Sequence, residues 1–530
     1  MLKVPKTLVF RGFLGYNIGM ANTVKTEETV TISKAEYESM QQRINWLMEQ
    51  LKLSKKRQFG PSSEKNEYAQ ESLFNEAETL YELPDNDPEL KEVSSYQRRK
   101  PRSAADRLPT DLPVEYIEHE LPEEERVCPD CGGELHVMGR ETRDELKLIP
   151  AKAVINRHVR HIYSCRSCEK NSEHATILKA ETPNPVIKGS FASPEAIAHI
   201  ATQKFVMGIP LYRQEQELER NGIHLSRQTM SNWLIRSTED WLKPIYDRLR
   251  DLLLGREVLH ADETTVKVLN EPDKDGKSKS HMWLYRTSGD AKHHIVLFDY
   301  KPSRSGEHAK KFLTDFKGYL HTDGYDEYHR RLPEEIMVVG CWAHSRRKFF
   351  EATSSLPKAA QADSEALRGL QYCDRLFTLE RTYSGLPPDD NFDARRLARN
   401  KSSKPLMDEF FAWSASVVNT VLPKSLLGIA VNYACNQRIW LERVLLDGRL
   451  ELSNNRAERS IKPFVIGRKN WLFNNTPRGA DVSAMIYSII ETAKENNVNP
   501  FVYLSTVFHK SPNLPPGSSI DSLLPWVLCP

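Results

Sequence analysis

Between residues 256 and 342 the chain switches from helical to strand-like patterning, in an order that narrows its fold more than any other feature. Residues 258–269 form a run rich in β-branched side chains, 281–287 a second and 294–300 a third, with polar, turn-like residues between them. A helical pattern over 306–316 follows, then a strand-like run at 319–322, a short helical stretch near Glu327 and a last strand-like run at 337–342. The predicted order is strand, strand, strand, helix, strand, helix, strand.

That is the order of a ribonuclease-H-like domain, a mixed-sheet α/β core whose first and fourth strands are neighbours. In such a sheet Asp262 of Leu259-His260-Ala261-Asp262 and Asp323 of Leu320-His321-Thr322-Asp323 point into one pocket. Carboxylates held that close repel one another, and divalent cations remove the cost. Two such ions roughly 3.5–4 Å apart also stabilise the attacking and leaving oxygens of phosphoryl transfer. A third ligand is expected from a later helix, and 453–459 (SNNRAER) opens with good N-cap residues and sets Glu458 in a first helical turn. Basic residues crowd the run that follows, among them Arg456, Arg459, Lys462, Arg468 and Lys469, which suits a phosphate backbone. Trp471 and Phe473 interleave with them as surfaces on which bases can stack. Glu263, Asp326 and Glu451 compete for the same role, since a lone acid at a strand end is ordinarily a turn or surface residue. The three acids carry weight only together, in this strand order.

The rest of the chain divides by pattern. Residues 1–32 read as a disordered tail, or as an over-long start before Met20. Residues 33–60 read as a leucine-zipper-like helix after Ser33, with Tyr37, Met40, Ile44, Leu47 and Leu51 spaced by three and four, and 61–112 as a charged linker. An amphipathic helix packed on its own chain fits the same seam. Residues 190–250 form a helical segment with Ile197, Ile200, Ala201 and Phe205 on one face of its first helix. After the Ser226 cap, Met230, Trp233 and Leu234 point inward. Arg227, Gln228 and Asn232 then face outward, either as the reading helix of a DNA-binding helix-turn-helix or as the surface of a plain bundle. The catalytic core spans 256–350. A helical insertion over 351–450 separates it from its completion at 451–500, and 501–530 is a C-terminal segment. In Cys341-Trp342-Ala343-His344 the cysteine reads as core, and the histidine as a phosphate contact or a structural hydrogen bond. Arg346, Arg347 and Lys348 at the helix start read as DNA-backbone contacts.

Cys128-Pro-Asp-Cys131 and Cys165-Arg-Ser-Cys168 are two CxxC knuckles within residues 113–185, and together they supply the four thiolates that Zn²⁺ favours, with His158 and His161 as substitutes that are not needed and a redox pair as the rival reading. Eight cysteines used in this way, half of them in knuckles, indicate a reducing compartment rather than a disulfide framework. The net charge of +2 excludes nothing, because 74 Lys and Arg nearly balance 72 Asp and Glu. No apolar run approaches the roughly 18 residues of a membrane span, so the expectation is a cytoplasmic, nucleoid-associated protein with no membrane partner.

RQFGPSSEK, CPDCGGEL with CRSCE, LHADETTVKVL, GYLHTDGYDEYH, VVGCWAHSRRKFFEA, LSNNRAERSIKPFVIGRKNWLF and the C-terminal SLLPW are long and unusual strings. With them the chain resembles transposases of the insertion-sequence-66 family, nearly end to end. The resemblance implies a zipper-like N-terminus, a zinc-binding domain, and a DDE catalytic domain with a helical insertion. It implies Asp262, Asp323 and Glu458 as the triad, Mg²⁺ (or Mn²⁺) as its ion, and two small accessory proteins of the same element as partners. The expected activity is binding of terminal inverted repeats, strand cleavage and strand transfer into target DNA, in a homo-oligomer. The rivals are a zinc and helix-turn-helix regulator on a decayed catalytic fold, and a structure-selective nuclease that cuts without joining.

Overall fold

The computed structural model describes residues 153–164, 177–272, 279–383 and 392–529, with isolated positions between 2 and 48. The chain divides into two compact units, residues 84–182 and the remainder. In the smaller unit Ile162–Ser164 pairs antiparallel with Ile177–Lys179. Cys128, Cys131, Cys165 and Cys168 lie outside the described residues, as does the 61–112 linker. Within the segment read as a disordered tail, Leu2–Lys3 pairs with Thr31–Ile32. Of the zipper-like segment, Glu36, Met40, Arg43, Ile44, Leu47 and Met48 are described, all helical.

The larger unit continues with three helices, α1 (Pro194–Phe205), α2 (Leu211–Arg220) and α3 (Arg227–Ser237). Ser193 and Ser226 cap α1 and α3 by accepting the amides of Ala196 and Thr229. Ile197, Ile200, Ala201, Phe205, Met230, Trp233 and Leu234 are buried, and Arg227, Gln228 and Asn232 are exposed. A fourth helix, α4 (Lys243–Leu254), runs on from α3 through a π-helical turn, Thr238–Leu242. Pro244 has no N–H for the carbonyl of Asp240, and the wider turn absorbs that missing bond.

Five strands follow: β1 (Val258–Val266), β2 (Ser280–Thr287), β3 (Val296–Lys301), β4 (Gly318–His321) and β5 (Ile336–Val339). Their order is β3-β2-β1-β4-β5. The β1–β2 and β2–β3 pairs are antiparallel, and β1–β4 and β4–β5 are parallel. Two short helices, α5 (Gly306–Phe312) and α6 (Asp326–Arg331), make the crossovers. Every residue of β2 is buried, so both faces of the sheet are covered. The last strand is shorter than 337–342 suggested. The chain leaves the sheet at Gly340, and Trp342 already begins helix α7 (Trp342–Ser355), its amide held by the carbonyl of Leu452.

Helices α7, α8 (Glu365–Tyr383), α9 (Lys404–Val418) and α10 (Leu426–Glu442) form a second core around Trp342, Phe349, Phe410 and Trp413. Buried Arg399 ties this layer together through Glu380 and the carbonyls of Val444, Asp447 and Leu450. The chain then returns to the sheet as α11 (Asn455–Trp471), α12 (Pro477–Glu495) and α13 (Pro500–Lys510). Helix α12 closes the outer edge of β3. The Ser488 hydroxyl accepts the amide of Phe298 at 2.7 Å, and Thr492 accepts the amide of Val296 and donates to its carbonyl, both at 3.0 Å.

Candidate active site

The pattern Leu-His-x-Asp occurs on both β1 and β4, and the parallel register sets the two copies side by side, Leu259 against Leu320 and His260 against His321. The two imidazoles are buried and stacked, with ring centroids 4.5 Å apart and 13° between planes. Two residues on, along the same strand direction, come Asp262 and Asp323.

Asn454, immediately before α11, brings the third acid to them. Its side chain does not cap the helix. Instead Nδ2 donates to the carbonyl of Ala261 at 2.8 Å and Oδ1 lies 2.9 Å from His260 Nδ1. The Asn454 amide donates to Cys341 Sγ at 3.1 Å, and its carbonyl accepts the amides of Ala457 and Glu458. One fully buried residue thus fastens the start of α11 to β1 and to the start of α7. Asp262, Asp323 and Glu458 then line one cavity of about 290 Å³ together with Glu263, Thr264, His344, Asn454, Ile461 and Lys462.

The electrostatics of the cavity favour a cation. Burial pushes the Asp262 carboxyl well above its usual range, and the charges of Glu263, Asp323 and Glu458 add to the rise. Among the described residues no Lys or Arg forms an ion pair with Asp262 or Asp323; Asp262 accepts the Glu263 amide and Asp323 that of Tyr325. Glu458 Oε1 is buried without a hydrogen-bond partner, 3.6 Å from His344 Nδ1, while Oε2 accepts from Arg347 at 3.2 Å. An orphaned carboxylate oxygen beside two crowded acids is the donor set a divalent ion would satisfy. The competing acids are otherwise engaged. Glu263 is held by Arg304 and by the Tyr328 hydroxyl, Asp326 by Arg330, and Glu451 by Arg456. Burial raises the carboxyl of Glu263, with the charge of Asp323 next, against the lowering effect of Arg304. Cys341, His344 and Glu458 bring donor atoms within 4.8 Å of one another. Burial pushes the Cys341 thiol up to about 12, and it serves as an acceptor for the Asn454 amide.

The basic residues divide into tied and presented groups. Arg346 is turned onto Asp374 at 2.5 Å, and Arg456 is bound to Glu451. Half-buried Arg468 donates to Thr264 Oγ1 at 3.0 Å and to Thr265, bracing α11 against β1. Lys348 lies over the Tyr433 ring at 4.8 Å. Arg347 is exposed but bonded to Glu458, Lys462 and Lys469 are exposed, and Arg459 is half-buried. On α3, Arg227 leans on Glu215 at 3.9 Å, and Gln228 donates to Asn232 at 3.3 Å. Sequence reasoning missed Asn454, His260 and His321 as members of the site. The repeated Leu-His-x-Asp was the available signal for the histidines. Asn454 looked only like a helix cap.

Acids from two neighbouring strands and a later helix, edged with lysine and arginine, form a site suited to nucleic-acid phosphates. Residues 189–482 match the family described as "Transposase IS66 family", and the chain belongs to it. Residues 125–169, which include all four knuckle cysteines, match the zinc-finger binding domain of transposase IS66. Residues 488–526 match the IS66 C-terminal element, and 46–117 match a domain described as transposase C of IS166 homeodomain. The chain is also similar to proteins of Sinorhizobium fredii. It is 30% identical to the uncharacterized protein y4jD over 76% of this chain and 78% of that one. It is 29% identical to the uncharacterized protein y4qI over 93% and 90%.

Proposed function

We propose that this transposase is a DDE enzyme with a ribonuclease-H-like core, in which Asp262, Asp323 and Glu458 hold two divalent cations, Mg²⁺ or Mn²⁺. The observation that carries the proposal is the shared cavity: three acids from β1, the end of β4 and α11 line it beside Glu263, which Arg304 holds, while the neighbouring acids Asp326 and Glu451 are outside its lining. The strand order β3-β2-β1-β4-β5, with β1 and β4 parallel neighbours, supports the ribonuclease-H-like assignment. Bound cations would supply the positive charge that steadies the oxygens exchanged at phosphorus.

The proposed chemistry is two in-line displacements. Water attacks the phosphodiester at an element end, the bond from phosphorus to the 3′-oxygen breaks, and that oxygen leaves as a hydroxyl with a proton from water. The freed 3′-hydroxyl then attacks a target phosphodiester in the same way, with no covalent link to the enzyme. Arg347 and Lys462 at the cavity, with Arg459 and Lys469 on α11, bind and orient the phosphates, and Asn454 holds Glu458 in place. Arg227, Gln228 and Asn232 on α3 read the terminal inverted repeats, and Cys128, Cys131, Cys165 and Cys168 hold a structural Zn²⁺. A homo-oligomer and two small proteins of the same element complete the assembly.

The test is Mg²⁺-dependent strand cleavage and transfer on DNA copied from the ends of the element, beside gel shifts with the same proteins. Asp262→Asn, Asp323→Asn and Glu458→Gln should each reduce both reactions to background while binding survives. Asp326→Asn and Glu451→Gln should retain most activity. A Glu458→Gln protein that transfers strands as well as the parent would remove the third ligand. A parent that binds ends yet never cuts, with the accessory proteins present, would be a regulator.

A further inference from the structure

Helix α11 ends in a strained turn. Leu472 has φ 64° and ψ −42°, and the Phe473 amide donates to the carbonyl of Trp471 at 2.8 Å. A three-residue turn of this hand is rare and strained, and a bulky leucine at positive φ is an outlier where glycine would be at ease. The turn is clamped on both sides. The Leu472 amide still reaches back to the carbonyl of Arg468 at 2.8 Å. Beyond the turn, Asn474 donates to the carbonyl of Lys267 at 2.9 Å and accepts the amide of Leu269 at 3.0 Å.

The strained turn presents two apolar side chains to solvent. Trp471 folds back, its ring 5.6 Å from that of Phe464, whereas Leu472 is 66% exposed and Phe473 43%. A glycine at 472 would relieve the backbone and leave nothing to present. The tip follows directly on α11, the helix that carries Glu458 and Lys462 toward its other end, and one turn before the tip Arg468 is bonded to Thr264 on the wall of the acid cavity. Lys469 beside it is exposed, with no ion pair among the described residues. A rigid apolar point set among cations fits a polyanion that has an apolar interior, which describes duplex DNA.

We propose that Leu472 and Phe473 form a wedge that enters the same duplex DNA roughly 20 Å along α11 from the phosphate held at the acids, unstacking a base step several pairs away. The inference rests on the DNA-cutting reading above and adds a distortion of the substrate to it. The probe is a duplex copied from an end of the element, with 2-aminopurine walked through the positions around the junction and Ca²⁺ in place of Mg²⁺ to prevent cutting. Binding of the parent should raise fluorescence several-fold at one or two positions. Leu472→Gly and Phe473→Ala should bind within a few-fold of the parent, abolish the rise, and slow cutting of paired ends by roughly tenfold or more. A mismatch placed at the responding step should restore their cutting. Leu472→Gly should melt no lower than the parent, since it relieves the turn, and so separates a wedge from a structural role. A parent that binds and cuts with no fluorescence change overturns the wedge alone, and is the outcome expected if a protein partner covers the tip. A parent that binds no duplex overturns the wedge together with the reading beneath it.

Discussion

Asn454 is fully buried, and its side chain spends both polar atoms on β1, one on the carbonyl of Ala261 and one on His260. Truncation by Asn454→Ala would leave both groups without a partner, at about 1–3 kcal/mol for each buried polar group so stranded. The expected result is a lower urea midpoint and a higher Mg²⁺ concentration for half-maximal cutting, because Glu458 loses its anchor. Asn454→Asp keeps the size but cannot donate to Ala261 and adds negative charge beside the acids, so its loss of activity should exceed its loss of stability. An Asn454→Ala protein with unchanged metal dependence would make the residue ordinary core. At this scale the sequence offered types and spacings but no partners. Asp262, Asp323 and Glu458 stood out through strand order, yet what separates them from Asp326 and Glu451 is which carboxyls line the cavity, and nothing in the sequence marks that Asp326 and Glu451 turn instead to Arg330 and Arg456. Glu263 is subtler still: it lines the cavity but is held by Arg304 and Tyr328.

Among the elements, α6 and α10 meet where His329 stacks on Trp440 with centroids 3.7 Å apart, joining the sheet region to the helical layer. Burial pushes His329 down to about 4, against the pull of Asp326 and Asp323 and with some help from Arg443. Neither ring nitrogen has a hydrogen-bond partner. The unfolded chain therefore takes up a proton near pH 6.5 that the folded chain refuses until about 4, so this contact is at full strength above 6.5 and weakens as pH falls through that window. His329→Phe preserves the stack without the titration. Its melting temperature should match the parent at pH 8 and exceed it at pH 5, and parallel curves for the two proteins would dismiss the histidine. The strands were readable because β-branched runs alternate with turn residues, α1 because its apolar residues share one face, and α3 because the Ser226 cap precedes it. Two features were hidden. Helix α4 lies behind Pro244, which reads as a break until a π-turn removes the need for its donor. The closure of β3 by Ser488 and Thr492 depends on residues nearly two hundred positions away, and hydroxyls within a helix give no sign of what they bond.

For the molecule as a whole, the described seam residues Met40, Ile44 and Leu47, with Met48 beside them, are each more than half exposed, an apolar stripe suited to a second copy. Ile44→Asp with Leu47→Asp should lower the mass measured by light scattering and weaken paired-end binding; an unchanged mass would assign the helix to its own chain. Purified protein should carry about one Zn²⁺, lost in Cys131→Ser, after which residues 113–185 should become protease-sensitive, since structural zinc contributes on the order of 10 kcal/mol to a small module. Metal-free protein prepared without chelators would end that claim. The interruption of the core by the helical layer has a further consequence, one of timing. Asp262 and Asp323 leave the ribosome early, but the acid set waits for residue 458 of 530, and the helix that seals β3 comes later still. On the proposed reading, a chain halted or frameshifted before that point keeps its zinc knuckles and α3 but cannot cut. Such fragments would occupy the ends of the element and block the intact enzyme, so a premature stop between α3 and Glu458 would turn a mobiliser of DNA into a brake on its own mobility.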